Sequence, residues 1–315
     1  MSNKNNEKTP ALTRLPVIAA LAFVSCFLWG SATPAIKTGY RLFQVASGDT
    51  PSQLLFAGIR FMLAGIMVIL AGSFIRRRPL IPRKESLAHI GILSLLQTAV
   101  QYMFFYIGLA HTSGVHGAIC TATNVFFSML VAALVFRYEK LSARKLAGCA
   151  VGFAGVVLVN VYGGGGGGGF SFFGEGFIIL SSLSYGFSSG FIKLYSNDED
   201  PMTLSGWQFL FGGMILAAVG AIAGGSVHVS GAASAAILVY LAFISAMAYT
   251  LWSILLKYNP VSRVSVFGFL NPLCGVVLSA LILGEQNQAF NPVGLASLVL
   301  VCLGIYIVNS TAKKS

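Results

Sequence analysis

The chain carries one pattern twice. Trp29-Gly30 followed by Ile36-Lys37 returns as Tyr185-Gly186 followed by Ile192-Lys193, and Gly58, Arg60, Phe61 and Gly65 return as Gly206, Gln208, Phe209 and Gly213. Tyr102, Phe105 and Asn124 match Tyr249, Trp252 and Asn271 at an offset of about 147 residues. Hydropathy with Gly, Pro and charge punctuation places apolar segments near 16–38, 53–75, 87–110, 114–136 and 144–162, then near 172–195, 203–224, 235–256, 262–284 and 291–309. Each half therefore holds an odd number of segments, so the second half enters a bilayer from the side opposite the first, and the two halves are inverted around a shared centre. The predicted fold class is an all-α integral membrane protein with ten transmembrane helices in two inverted five-helix repeats.

Composition supports a membrane chain. Of 315 residues, 56% are apolar and 9% are charged, whereas soluble domains carry about 25% charged residues. A crossing takes about 20 mostly apolar residues, which leaves only short loops. The predicted organisation is a tail at 1–15, a first repeat at 16–162, a linker at 163–171, a second repeat at 172–310 and a tail at 311–315.

A net charge of +11 would suggest nucleic acid in a soluble protein, but its distribution along the loops argues against that partner here. All of the 20 Lys and Arg except Lys37, Arg41 and Arg60 fall in the amino terminus, alternate loops or the carboxyl terminus. The positive-inside rule puts that side, with both termini, in the cytoplasm. The run Gly163 to Gly169 lacks the Lys-Ser/Thr ending of a phosphate loop and reads as a flexible tether. The connector Arg41 to Pro51 is about five residues longer than its counterpart Ser196 to Pro201, and is expected to form a short outer flap. Cys26, Cys120, Cys149, Cys274 and Cys302 sit in apolar segments without metal-ligand spacing and read as small core residues. The first apolar segment lacks a small-residue cleavage site and reads as a retained helix.

Arg60 is the strongest functional signal. It lies about eight residues inside the second segment, roughly 12 Å deep at about 1.5 Å per residue, where a charge usually faces a cavity or a partner. It offers a planar fork for a carboxylate or phosphate, although bonding to helix carbonyls is the competing structural role. Lys37 and Lys193 end the first helix of each half and either snorkel or mark the two mouths of a pathway. Trp29 precedes Pro34, which kinks the first helix, and Tyr185 stands in the pliable sixth. Gln101, Tyr102, Asn124, Tyr249, Trp252 and Asn271 supply polarity and aromatic surface at matched depths. No Asp or Glu lies convincingly at mid-membrane, so proton coupling would run through His111, His116, water or substrate.

On these residues the chain resembles the drug/metabolite transporter superfamily, in the form with two EamA domains. Phe27-Leu28-Trp29-Gly30 leading to Ile36-Lys37, Phe136 to Glu139 followed by Gly148, Gly152 and Gly155, and Leu283-Gly284-Glu285 leading to Gly294 and Gly304 carry the likeness over residues 16 to 310. The resemblance implies a basket-like cavity walled by the first, third, fourth, sixth, eighth and ninth helices, and substrates such as amino acids, related metabolites, nucleotide-sugars or sugar phosphates. The chain departs from the small multidrug-resistance branch, which relies on a mid-membrane Glu in its first helix.

The expected function is a multi-pass carrier of the inner (cytoplasmic) membrane that exports a small carboxylate-bearing metabolite by alternating access. Its partners are that substrate and the lipid bilayer; proton coupling is open, a monomer suffices for the pathway, and no cofactor or metal is expected. Arg60, with Lys37 or Lys193, would hold the anionic group. A broad exporter of lipophilic compounds is the alternative within transport. A membrane enzyme would need clustered His, Asp or Glu, or a nucleophile with a base, and His89, His111, His116 and His228 are scattered.

Overall fold

A computed structural model describes residues 11–138, 140–162, 170–259, 264 and 266–309. The glycine run 163–169, residues 1–10 of the first tail, the last tail 311–315, Glu139 and Arg263 lie outside the described residues. The described secondary structure is helical. It comprises α1 (Leu15–Leu42), α2 (Thr50–Arg76), α3 (Lys84–Ala110), α4 (Gly114–Leu134, with one turn residue at Ala122), α5 (Ala143–Tyr162), α6 (Phe172–Tyr195), α7 (Pro201–Ile222), α8 (Ala232–Tyr258), α9 (Leu270–Leu283) and α10 (Pro292–Asn309), with a single turn at Gln286–Ala289.

Among the described residues, seven of these helices, α1 to α4 and α6 to α8, are long and apolar enough to cross a membrane. The helix α5 and the shorter apolar helices α9 and α10 complete the bundle. Helix α9 begins at Leu270, later than the residue 262 expected from hydropathy, after a 3-10 turn at Val266–Phe269. Pro272 lies in its first turn, where the missing N–H has no helical partner to lose.

Local sequence starts the paired helices α2 and α7 in the same way. Asp49 accepts from Ser52 N at 3.1 Å, with Pro51 in the first turn of α2. Asp200 accepts from Met202 N at 3.0 Å and Thr203 N at 3.1 Å, with Pro201 opening α7. Each aspartate satisfies N–H groups that a helix start leaves free. The two helices then run antiparallel in backbone contact. A Cβ on Gly65 would lie 2.7 Å from Gly206 O, and one on Gly213 would lie 2.9 Å from Gly58 O. The contact is reciprocal, because Gly206 and Gly213 are the positions that echo Gly58 and Gly65. Helices α5 and α10 use the same device, with Gly155 against Ser297 O and Gly304 against Gly148 O. Small residues permit such approach where apolar lipid provides no drive for helices to associate.

Hydrogen bonds sort the loops to two ends of the bundle. At the near end, Asn259 Nδ2 donates to Leu12 O at 3.0 Å, Arg76 pairs with Asp200, and Arg83 N donates to Glu199 at 3.1 Å. At the far end, Ser230 Oγ donates to Leu42 O at 3.1 Å and Ser226 N to Ser52 Oγ at 2.9 Å. The long connector after α1 is no free flap. Gln53 Nε2 donates to Ala46 O at 2.9 Å and Ser47 O at 2.8 Å and ties it down.

Two π-helical stretches were not legible in the sequence: Ser94–Val100 within α3 and Phe172–Gly176 at the start of α6. The wider turn ends at Gln101, so it sets the angle at which Gln101 and Tyr102 leave α3.

Candidate functional site

A cavity lies between α1, α2, α3, α4, α6, α8 and α9, and together with its open mouth it amounts to about 920 Å³. Trp29, Arg60, Gln101, Tyr102, Asn124, Tyr185, Tyr249, Trp252 and Asn271 all line it. Exposure grades along its length. Ile36 (0%), Ala118 (4%) and Ser181 (3%) close it toward the far end. Asn124, Val125, Tyr185 and Asn271, toward the near end, are half-buried.

Aromatic rings build the wall. Trp29 packs edge-on against Tyr249 and Trp252 with ring centroids 5.1 Å away in each case. Phe61 lies 4.2 Å from Tyr102, and Phe209 lies 5.1 Å from Tyr249. The Tyr102 and Tyr249 hydroxyls are 2.6 Å apart, and Gln101 Nε2 reaches Tyr249 Oη at 3.5 Å.

Arg60 is braced rather than projecting. It is 2% exposed. Its Nε donates to Leu241 O at 3.0 Å, Nη1 to Tyr106 Oη at 2.6 Å and Nη2 to Ser245 Oγ at 2.8 Å. Its guanidinium carbon stands 4.9 Å from the Phe61 centroid, in range of a cation-π contact. A guanidinium carries five N–H donors, so these bonds leave one free on each terminal nitrogen. No carboxylate among the described residues pairs with it. Both competing roles are thus present in one side chain. Ser245 and Tyr106 as its partners escaped the sequence reading; the available signal was a hydroxyl one helical turn before Tyr249 and another one turn after Tyr102.

Lys37 and Lys193 do not line the cavity, a correction to the expected cation cluster around Arg60. Lys37 Nζ donates to Thr112 O in the far-end turn between α3 and α4. The same turn is held by two carboxylates, one at the start of α6 and one just after α9. Thr112 Oγ1 donates to Glu175, which stands 3.6 Å from His116 Nδ1, and Glu285 accepts from Gly114 N at 3.1 Å and Val115 N at 2.8 Å. Glu285 thereby meets the free N–H groups and positive pole of α4. Lys193 sits at the near end, its Nζ 5.1 Å over the Tyr138 ring.

Two polar atoms of the cavity residues are buried without a hydrogen-bond partner: Trp29 Nε1 and Gln101 Oε1. The described residues hold no group of three or more His, Cys, Asp or Glu arranged for a metal ion.

A multi-pass helical bundle with an aromatic and amide-lined central cavity defines a membrane transporter of small molecules. The chain belongs to the EamA-like transporter family, whose profile matches residues 17–161 and again residues 172–310. It is 28% identical over 301 residues to a probable amino-acid metabolite efflux pump of Salmonella typhimurium, covering 91% of this chain and 93% of that one. It is 27% identical over 308 residues to the uncharacterized inner membrane transporter YedA of Escherichia coli K12, covering 93% and 92%. A crystal structure at 19% identity superposes with a TM-score of 0.67 over 93% of this chain and 96% of that chain, a likeness of fold. The protein is accordingly a transporter and not an enzyme.

Proposed function

We propose that the protein exports a small carboxylate-bearing metabolite, such as an amino acid, across the inner (cytoplasmic) membrane by alternating access of two inverted five-helix halves, with both termini cytoplasmic. The observation that carries the substrate reading is Arg60. It is a positive charge on the cavity wall with two N–H groups unspent and no described carboxylate to neutralise it. Trp29, Tyr102, Tyr185, Tyr249 and Trp252 shape the cavity, while Gln101, Asn124 and Asn271 orient polar groups.

Support for inverted halves comes from the antiparallel, reciprocal contact of α2 with α7, and from a family profile that matches the chain in two segments. Inversion also supplies the second state. Lys37 Nζ donates to Thr112 O, and in this reading that bond is the latch of the far end. The positions that echo them are Lys193 and Asn259 at the near end. In the opposite state Lys193 leaves Tyr138 and latches the Asn259 backbone, and Lys37 is released. A monomer contains the whole pathway. His116 and Glu175, at the far-end turn, are the groups through which coupling to protons would run. The direction of transport rests on the likeness to a probable efflux pump.

In proteoliposomes, Arg60→Ala should abolish uptake of anionic substrates, and Arg60→Lys should restore part of it. Unchanged transport by Arg60→Ala would remove Arg60 from the site. The three bonds that brace Arg60, with the surrounding aromatic wall, favour one second reading, a broad exporter of lipophilic compounds. Resistance phenotypes that survive Arg60→Ala would select it. Comparing metabolites in the medium of cells with and without the protein tests substrate and direction together.

A further inference from the structure

A second cleft opens at the near end, apart from the central cavity. It lies between the connector from α2 to α3, the connector from α6 to α7 and the last turn of α8, and with its open mouth it amounts to about 1120 Å³. Two of its three carboxylates are spent inside the protein. Glu199 accepts from Asp200 N at 2.9 Å with one oxygen and from Arg83 N at 3.1 Å with the other, while Asp200 pairs with Arg76 and caps α7 through Met202 N and Thr203 N. The cations are not spent. The side chains of Arg78, Arg83 and Lys257 are exposed and make no ion pair or hydrogen bond among the described residues, although the Arg83 charge stands near enough to Glu199 to act on it. Three cations therefore stand against one uncommitted carboxylate, the exposed Asp198.

Apolar side chains border these cations. The connector is pinned at the buried Leu80, whose N donates to Ser73 Oγ at 2.9 Å and whose O accepts from Trp207 Nε1 at 2.7 Å. With Leu80 held inward, the next residue, Ile81, is left 73% exposed. Phe74 and Ile75, near the end of α2, are exposed as well. The bias of Lys and Arg toward one side of a membrane accounts for cations at this end as a class. It does not account for a cleft whose carboxylates are taken up by backbone N–H groups and whose border is apolar.

We propose that this cleft binds one anionic phospholipid, with its phosphate among Arg78, Arg83 and Lys257 and its acyl chains along Ile81 and the end of α2. Arginine offers paired N–H groups to phosphate oxygens, and Lys257 adds a point charge. Basic pockets between helices at a membrane surface suit such head groups. The apolar border selects a lipid over a free anion, because a soluble phosphate gains nothing from Ile81 or Phe74. Arg78 and Arg83 belong to the first half of the chain and Lys257 to the second, so the lipid joins the halves at the near end and stabilises the arrangement seen here. The site lies outside the transport cavity and does not depend on what that cavity carries.

The test uses the purified full-length protein in nanodiscs of phosphatidylcholine alone and of phosphatidylcholine mixed equally with phosphatidylglycerol. Wild type should melt higher in the mixture and, once extracted into mild detergent, retain phosphatidylglycerol over phosphatidylcholine by about fivefold or more in native mass spectrometry. Arg78→Gln with Lys257→Gln should remove both the melting shift and the retention. Arg77→Gln with Lys84→Gln takes the same charge from exposed neighbours that do not line the cleft, and should keep both. Ile81→Ser keeps every charge and should weaken retention of phosphatidylglycerol several-fold, without touching cations on which folding could depend. Equal losses in the two double variants overturn the site in favour of diffuse surface charge. Wild type without preference between the two lipids overturns it as well, as does an Ile81→Ser protein that retains the lipid undiminished. Inorganic phosphate that raises melting in phosphatidylcholine as much as phosphatidylglycerol does overturns the lipid as the occupant.

Discussion

Tyr102 and Tyr249 share a hydrogen bond of 2.6 Å between their hydroxyls although 147 residues separate them, the spacing at which the sequence repeats itself. The two are 7% and 5% exposed. Equivalent side chains of the two halves therefore meet at the cavity wall, beside Gln101 and Trp29. Removing one hydroxyl leaves the other buried with one partner fewer, at a cost of about 1–3 kcal/mol, whereas removing both leaves neither ring with an unpaired hydroxyl and takes from Gln101 Nε2 only its 3.5 Å contact. Tyr102→Phe and Tyr249→Phe should each lower the melting temperature in detergent, and the double variant should lose less than the sum of the two. An additive double variant would show that the hydroxyls are not coupled.

Glycines on the α2 surface should divide sharply from glycines in open space. A Cβ at Gly58 would fall 2.3 Å from Ala217 N on α7, and backbone cannot yield as a side-chain tip can. Gly58→Ala should cost about 1–3 kcal/mol or more and reduce folded yield. Gly91 in α3 has nothing within 4 Å of the added carbon, so Gly91→Ala should be neutral or stabilising by up to about 1 kcal/mol. Thermal melts of the two variants against wild type check both signs.

Lys37 should hold the far end closed. In a background with the native cysteines replaced, a cysteine at the fully buried Ile36 should react slowly with a membrane-impermeant maleimide added on the far side. Adding Lys37→Met removes the bond to Thr112 O and should raise that rate several-fold. An unchanged rate would assign closure to Glu285 and Glu175 alone.

Glu199, in the near-end loop, links folding to pH. Burial raises its carboxyl, but the N–H groups of Asp200 at 2.9 Å and Arg83 at 3.1 Å, the Ser86 hydroxyl and the Arg83 charge outweigh that effect and hold it below its ordinary value of 4.5. A carboxyl lowered in the folded state contributes stability that is complete above the unfolded value and is lost as pH falls through the folded one. Glu199→Gln should therefore melt below wild type at pH 7, and the gap should close under acid below pH 4.5. A gap that stays constant with pH would assign the effect to packing.

The sequence by itself determined the elements that are periodic along the chain. Apolar runs marked the helices to within a few residues except at the start of α9, the Asp caps with a Pro in the first turn of α2 and α7 are local signals, and the repeat singled out Tyr102, Tyr249, Asn124 and Asn271, all of which line the cavity. A hydrophobic crossing depends only on its own residues, so it can be read from them. Partnership between distant side chains cannot. The tertiary structure alone decided that Arg60 spends three N–H groups on residues 46 to 185 positions away, that Lys37 and Lys193 belong to the two ends, and that a π-helical turn sets the exit angle of Gln101. It alone left Trp29 Nε1 and Gln101 Oε1 unpaired at the cavity wall. A hydrogen bond demands about 3 Å and a narrow angle, and ångström-scale positions of atoms on different helices are fixed by how the whole bundle closes, not by any stretch of chain.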